Sequence, residues 1–376
     1  MDHSITSFRD NSSLSLSSTH PLSSLASSGR MLVSIPHQSD LLLEKEYHPI
    51  KVIGQGVFGI VYMSKEQDGQ CVAVKKVLQD RRYKSREVEI MEEITRKYKS
   101  MHKSDEIQDI QINKHNINCC LFRNCFKTQG RRQNEVYLNI VMDYMPMSLH
   151  QFNLYYRKKS QYPPLLYVKL FAFQIFAALN VMHSLSIMHR DVKPNNILVD
   201  KDSGELKFCD FGSSKKYIPG EKSLTYISSR YYRAPELMYE CELYTPSVDI
   251  WGAGCTIVEL LMAGIPLFQG KSSIDQLFSI IKVIGEPTKD DLLSFKRSID
   301  IEIPSFDKDE YTPLDTLLPR HTPKDLYDLL ILIFQFNPNK RPSAIECMHH
   351  RCFDILFNPE LKMPSGKPFP SLDRCL

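Results

Sequence analysis

The chain has 376 residues, 42% hydrophobic and 24% charged, which excludes a wholly disordered protein and leaves room for one large two-lobed domain or two ordinary ones. With 47 basic against 44 acidic residues the net charge is +3, too balanced for a general nucleic-acid or membrane-surface binder. The ten cysteines form no C-x-x-C pair and read as reduced thiols of a cytoplasmic, or also nuclear, protein. Cys119, Cys120 and Cys125 lie near His115, but at the wrong spacing for the usual structural zinc sites.

Residues 1–40 hold thirteen serines and few large apolar groups, so they read as a disordered segment. The start lacks the apolar core of a secretory signal, and Asp2 and Asp10 argue against a transit peptide. Folded structure is expected from near Tyr47. The runs HPIKVI, GIVYMSK and QCVAVKKV alternate in polarity and are separated by Gly54, Gly56, Gly59, Asp68 and Gly69, which predicts three antiparallel strands. Residues 84–98 switch to helical period. There Glu87, Met91, Ile94 and Tyr98 share one face, while Glu89, Glu92, Glu93 and Arg96 fall toward solvent. Residues 99–118 are polar and aperiodic and read as a surface insertion; 135–144 returns to strand. Helical patterns then dominate, notably 164–184, 246–263, 273–285 and 323–335. The most apolar runs, around 165–182 and 255–268, carry Lys169 and Gln174 or Glu259 and read as buried helices, not membrane spans. Strand-rich first and helix-rich second predicts a bilobal α+β fold. Its boundaries are 41–145 for the first lobe and hinge, 146–357 for the second, and 358–376 for a C-terminal extension.

The chemistry begins at IGQGVFGIV, 53–61. In a dinucleotide-binding fold the third glycine of G-x-G-x-x-G opens a helix. Here strand-like IVYMSK follows, so the glycines belong to a hairpin, either an ordinary turn or one whose N–H groups cover phosphates. Lys75 ends Val-Ala-Val-Lys on the next strand. Periodicity selects Glu87 as the inward acid that would fix it. HRDVKPNNILVD, 189–200, spaces Asp191 and Asn196 as D-x-x-x-x-N. Asp191 can accept a hydroxyl proton, Lys193 can neutralise charge on a phosphoryl group, and Asn196 offers an oxygen to a metal ion. Asp210, in Asp-Phe-Gly, is a natural second Mg²⁺ ligand. Further on, SLTYISSRYYRAPEL (223–237) sets Arg230 and Arg233 after Tyr226. Two readings stand: a phosphotyrosine held by guanidinium groups, or a surface loop with unpaired arginines.

Glycine loop, Lys75, Glu87, HRD, DFG and APE in this order resemble the eukaryotic protein kinases over 47–357. KVLQDRRYKSREVEIM, EVYLNIVMDYMP, LKFCDFGSSK, TYISSRYYRAPEL, IDQLFSIIKVIGEPT and LKMPSGKPFPSL are similar to the glycogen synthase kinase 3 family. The Thr-x-Tyr of MAP kinases is absent, since Leu224 stands two before Tyr226, and KSREVEIM replaces the corresponding helix of cyclin-dependent kinases.

The resemblance implies a Ser/Thr kinase using ATP and Mg²⁺, with protein substrates and neither nucleic acid nor membrane as partner. It implies an adenine site of Ile53, Val61, Ala73 and Leu198, a gatekeeper Met142, and hinge groups at Asp143 and Met145, below Gly54, Gly56 and Gly59. Asp249 resembles the acid that holds the HRD backbone, and Arg341 the partner of Glu236. Tyr226 matches an activating phosphotyrosine held by Arg230 and Arg233. Arg86, Arg190 and Lys215 match a pocket for a phosphate already present on the substrate, which implies Ser/Thr-x-x-x-phospho-Ser/Thr motifs. An unprimed proline-directed kinase is the alternative, against which Arg86 and Lys215 argue; an idle kinase-fold scaffold is the other. The Thr6-Ser7-Phe8 stretch is similar to an inhibitory serine segment but lacks preceding basic residues. The groove near 273–316 is a candidate seat for a scaffold helix.

Overall fold

The computed structural model describes residues 31–35, 43–56, 59–79, 84–102, 117–132, 135–295 and 311–374. Ser7, His115 and most of the stretches 99–118 and 294–316 therefore lie outside the described residues.

The N-terminal lobe is a sheet of six strands: β1 (Met31–Ile35), β2 (Leu43–Gly56), β3 (Gly59–Lys65), β4 (Cys71–Leu78), β5 (Phe122–Gln129) and β6 (Val136–Asp143). All neighbouring pairs are antiparallel, in the order β1-β2-β3-β4-β6-β5. The period-two alternation of β4 assigns its faces. Val72 and Val74 join Tyr47, Phe126 and Val141 in a small apolar cluster, whereas Ala73 and Lys75 line the cleft on the other face. Two expectations are corrected. β1 lies inside the 1–40 segment read as disordered, and it pairs with β2 over Met31↔Tyr47 to Ile35↔Leu43. β5 has no strand signature in the sequence, because FRNCFKTQ carries five polar residues in eight and has no clean alternation. A register shift between Phe122 and Asn124 blurs that alternation further.

Helix α1 (Arg86–His102) packs under the sheet, longer than its apolar face predicted. Glu87 and Glu89 in its first turn favour the positive end of the helix dipole. Asn118 to Cys120 then run beside the second lobe. Phe208 N–H donates to the Asn118 carbonyl at 2.7 Å, Cys120 N–H donates to the Phe208 carbonyl at 2.8 Å, and Asn118 Nδ2 donates to Gln174 Oε1 and the Leu206 carbonyl. Cys119 and Cys120 are buried in this seam, and burial pushes the Cys120 thiol up to about 12. Among the described residues no cluster of His, Cys, Asp or Glu is placed to hold a metal ion.

The second lobe runs β7 (Met147–Ser148), α2 (Leu149–Lys158), α3 (Leu165–Ser184), β8 (Ile187–Met188), β9 (Ile197–Val199), β10 (Leu206–Phe208), β11 (Lys215–Lys216), α4 (Pro235–Met238), α5 (Ser247–Leu261), α6 (Ser273–Ile284), α7 (Lys289–Ser294), α8 (Leu314–Leu317), α9 (Lys324–Ile333) and α10 (Ala344–Met348). By length and composition α3 could cross a membrane, but it is apolar nearly all round because it forms the centre of this lobe, buried from Tyr167 to Met182 save for Lys169 and Asn180. α5 packs on it, and the Trp251 ring of α5 stacks on Phe268 with centroids 5.6 Å apart.

Two buried carboxylates pin this lobe. Glu236 accepts both Nη groups of Arg341 at 2.7 Å, with both side chains essentially out of solvent. Asp249 accepts the backbone N–H groups of His189 (2.8 Å) and Arg190 (2.7 Å), and lies 3.0 Å from His183 Nε2. Burial acts to raise the Asp249 pKa, but His183 and the N–H donors overcome it and leave it below the usual value.

Candidate active site

Between the lobes is a cavity of about 660 Å³. Its roof is the β2–β3 hairpin, with Ile53, Gly54, Gly56, Gly59 and Val61. Gly59 has φ +145°, and a Cβ there would come within 2.1 Å of the Lys76 carbonyl oxygen, so only glycine lets the hairpin lie on β4. Ala73, Met142 and Leu198 supply apolar walls, and Asp143 and Met145 line the hinge. The structure thus brings to one cleft all the residues expected to meet ATP. Cys209, Asn195 and Gln151, which the sequence reading did not single out, line it as well.

The Asp143 carboxylate is turned to a separate task. It accepts Lys207 Nζ at 2.7 Å, Arg123 Nε at 3.0 Å and the Leu121 N–H at 3.3 Å. What remains of this residue for a purine edge is main chain. Burial opposes the charge, and Lys207 more than offsets it, holding Asp143 below the ordinary carboxylate range.

At the back of the cleft Lys75 Nζ donates to Glu87 at 2.7 and 2.9 Å and to Asp210 Oδ1 at 2.8 Å. Burial works to lower the lysine pKa, but the two carboxylates reverse the sign and raise it, so the ammonium is firmly charged. Asp210 shows the opposite balance: burial raises, Lys75 lowers, and the result is a lowered pKa.

Deeper in the catalytic loop, Asp191 accepts Lys193 Nζ at 2.7 Å, Asn196 Nδ2 at 2.8 Å and the Ser229 N–H at 2.9 Å. The Ser229 hydroxyl donates to Asp191 Oδ1 at 3.0 Å and accepts Lys193 Nζ at 2.7 Å. Burial again raises and Lys193 again lowers, leaving Asp191 ionised. Ser229 is a site residue that sequence reasoning missed. Its only signal was the Ser-Ser before Arg230, and its role follows from a contact 38 residues from Asp191.

Arg190 (φ 65°) and Asp210 (φ 59°) adopt left-handed backbone. Each conformation costs on the order of 1–3 kcal/mol and persists where surroundings over-determine it. Asp249 does this for Arg190, and the Lys75 bond does it for Asp210. Asn196 spends its Nδ2 on Asp191, which leaves Oδ1 as the atom for a cation. With the half-exposed Asp210 carboxylate, this gives two oxygen donors, and Mg²⁺ commonly takes one or two protein oxygens plus substrate phosphates.

The family comparison matches this geometry. A protein kinase domain is recognised over residues 47–353. Glycogen synthase kinase 3 of Trypanosoma brucei brucei is 39% identical over 332 residues, which cover 87% of this chain and 88% of that protein. The chain belongs to the glycogen synthase kinase 3 family of protein kinases. It is a serine/threonine-type protein kinase with the bilobal kinase fold.

In this kinase the activation segment follows Asp210. Tyr226 is 77% exposed, and its ring lies under the Arg233 guanidinium at 4.6 Å. Arg233 is buried and donates to the Ile227 and Ser228 carbonyls at 2.8 and 2.9 Å. Arg230 donates to the Lys271 carbonyl. The reading of a loop with unpaired arginines is thereby corrected: both guanidiniums donate to backbone carbonyls, Arg233 within its own segment and Arg230 across to Lys271. Arg190 Nε donates to the Ser213 carbonyl and Nη1 to Tyr244 Oη. Lys215 stands on β11, paired with β8, and Arg86 is exposed at the first residue of α1.

A second correction concerns Glu93. Its helix position pointed to solvent, but its side chain is largely covered and bonds Lys216 of β11, whose Nζ also donates to the Leu185 carbonyl at the end of α3.

Proposed function

We propose that this kinase phosphorylates serine or threonine four residues N-terminal to a phosphate already on the substrate, in the cytoplasm and also the nucleus. The substrate hydroxyl oxygen attacks the ATP γ-phosphorus, its proton passes to Asp191, and the bond to ADP breaks. Asp191, with Ser229 and Lys193 fixing its carboxylate, orients the hydroxyl; a general base typically contributes about 10² to 10⁴ in rate. Lys193 offsets charge on the phosphoryl group, and Lys75, set by Glu87, holds the α- and β-phosphates. Mg²⁺ would be held by Asn196 Oδ1 and Asp210 and would neutralise charge on the nucleotide phosphates.

The observation that carries the primed reading is the convergence of Arg190 and Lys215 on one short stretch of the activation segment. Lys215 bonds residues 221–223, and Arg190 reaches Leu224 through the Tyr244 hydroxyl. With Arg86 from α1 they would clasp a dianion by charge-assisted bonds. Tyr226 phosphorylation would replace the cation–ring contact with Arg233 by a phosphate held between Arg233 and Arg230, which supports a role in activation. The groove beside α6 remains the proposed seat of a scaffold helix.

The test is steady-state phosphorylation, with Mg-ATP, of two Ser-x-x-x-Ser peptides, one phosphorylated on the second serine. A large preference for the phosphorylated peptide is expected, and Arg86→Ala should erase much of it while sparing the other peptide. Equal turnover of both peptides removes the priming claim.

A further inference from the structure

The Lys215 ammonium already has a carboxylate partner. Its Nζ lies 2.6 Å from Glu221 Oε1 and donates to Ser223 Oγ at 2.8 Å and to the Lys222 carbonyl at 3.2 Å. No helix or strand places Glu221 there. The stretch is instead pinned from its other side. Ser223 N–H donates to the Glu242 carbonyl at 2.8 Å, and Lys222 pairs with the Glu242 carboxylate at 2.6 Å. Tyr244 Oη accepts Arg190 Nη1 at 3.0 Å and donates to the Leu224 carbonyl at 2.9 Å. Glu221 is therefore folded back over a cation of the phosphate site by a segment fastened at residues 222–224.

We infer that Glu221 is the internal occupant of the primed-phosphate site, a carboxylate that holds Lys215 until the phosphate of a protein substrate displaces it. This rests on the primed-substrate reading above. The charges decide the direction of exchange. Glu221 brings one negative charge on a side chain 43% exposed, and such pairs are weak. A phosphate brings nearly two charges and three acceptor oxygens, and it can address Lys215 and an arginine together. Displacement is thus favourable for a phosphate and idle for a carboxylate, because a substrate Asp or Glu only exchanges one carboxylate for another. Glu221 would set specificity by a competing contact, rejecting acidic substitutes for the phosphate.

The experiment uses full-length kinase and three peptides identical except at the fourth residue after the acceptor: phosphoserine, serine or glutamate. Wild type, Glu221→Gln, Lys215→Ala and the double variant are compared for KM and kcat, with thermal midpoints recorded. The expected result for Glu221→Gln is a KM for the phosphoserine peptide lower by roughly two- to five-fold, the span of one exposed ion pair. The glutamate peptide should gain, the serine peptide should not change, and Glu221→Gln should add nothing to Lys215→Ala. An unchanged or higher KM for the phosphoserine peptide, in an enzyme whose wild type still prefers that peptide, overturns the inference and leaves priming intact. A rise in KM for all three peptides also overturns it, and assigns Glu221 to support of the segment. If wild type turns over the phosphoserine and serine peptides equally, priming fails first and the inference falls with it.

Discussion

The ATP cleft and the activation segment both run on ion pairs, but of different kinds. In the cleft Lys75 and Glu87 leave only 12% and 9% of their side chains exposed, and Lys75 serves two carboxylates at once, both oxygens of Glu87 and one of Asp210. On the activation segment Lys215 and Glu221 leave 21% and 43% exposed. Water screens the second pair and hardly reaches the first. The cleft is therefore set before substrate arrives, which suits a step whose catalysis is positioning and charge stabilisation. The segment can trade partners at low cost, which suits recognition.

This contrast predicts a ranking of substitutions. Asp191→Asn should have the largest effect, lowering kcat by about 10² to 10⁴ in single-turnover assays while leaving ATP binding intact. A loss under tenfold would mean that the Ser229–Asp191–Lys193 constellation only organises the loop. Next comes Arg341→Ala, which strands a carboxylate that is 1% exposed and should cost about 3–5 kcal/mol in denaturant unfolding. Ser229→Ala removes hydrogen bonds to a charged group, worth about 1.5–3 kcal/mol, and should appear in kcat rather than in the KM for ATP.

The pH response follows the same division. The folded pKa of Asp249 lies below its unfolded value of 3.8, so the unfolded chain takes up the proton first as pH falls. Its contribution is complete above roughly pH 5 and is lost as pH drops through the folded pKa. Thermal midpoints between pH 6 and 2.5 should fall more steeply for wild type than for Asp249→Asn; parallel curves would sink the assignment. The smallest effect belongs to Glu93→Gln. Its pair with Lys216 is partly exposed and should be worth about 0.2–1 kcal/mol, read as a small drop in kcat as α1 loosens. An effect tenfold or larger would place Glu93 with the cleft pairs.

How much of this was legible follows from sequence distance. HRD, DFG and the glycine hairpin fix atoms within a few residues, so spacing alone placed Asp191, Asn196 and Asp210 in one site. Periodicity chose Glu87 over Glu89 and Glu92, and the two rejected acids are indeed exposed. Glu93 escaped because its partner is 123 residues away, and no local period records such a pairing. β5 escaped because an edge strand with one face half-wet need not alternate. Glu221 was invisible for a different reason: its position depends on a loop course that Glu242 and Tyr244 impose from outside.

The seam along Asn118, Cys120 and Phe208 has a mechanical consequence. It fastens the back of the small lobe to β10, and Lys207 of the same strand grips Asp143 at the hinge. Opening and closing of the mouth must then swing about an axis along this seam. Points near it, such as the Met142 wall, travel little. The glycines of the phosphate cover, Gly54, Gly56 and Gly59, sit farther out on the lever arm. Nucleotide exchange can thus lift the phosphate cover while the adenine wall stays nearly still.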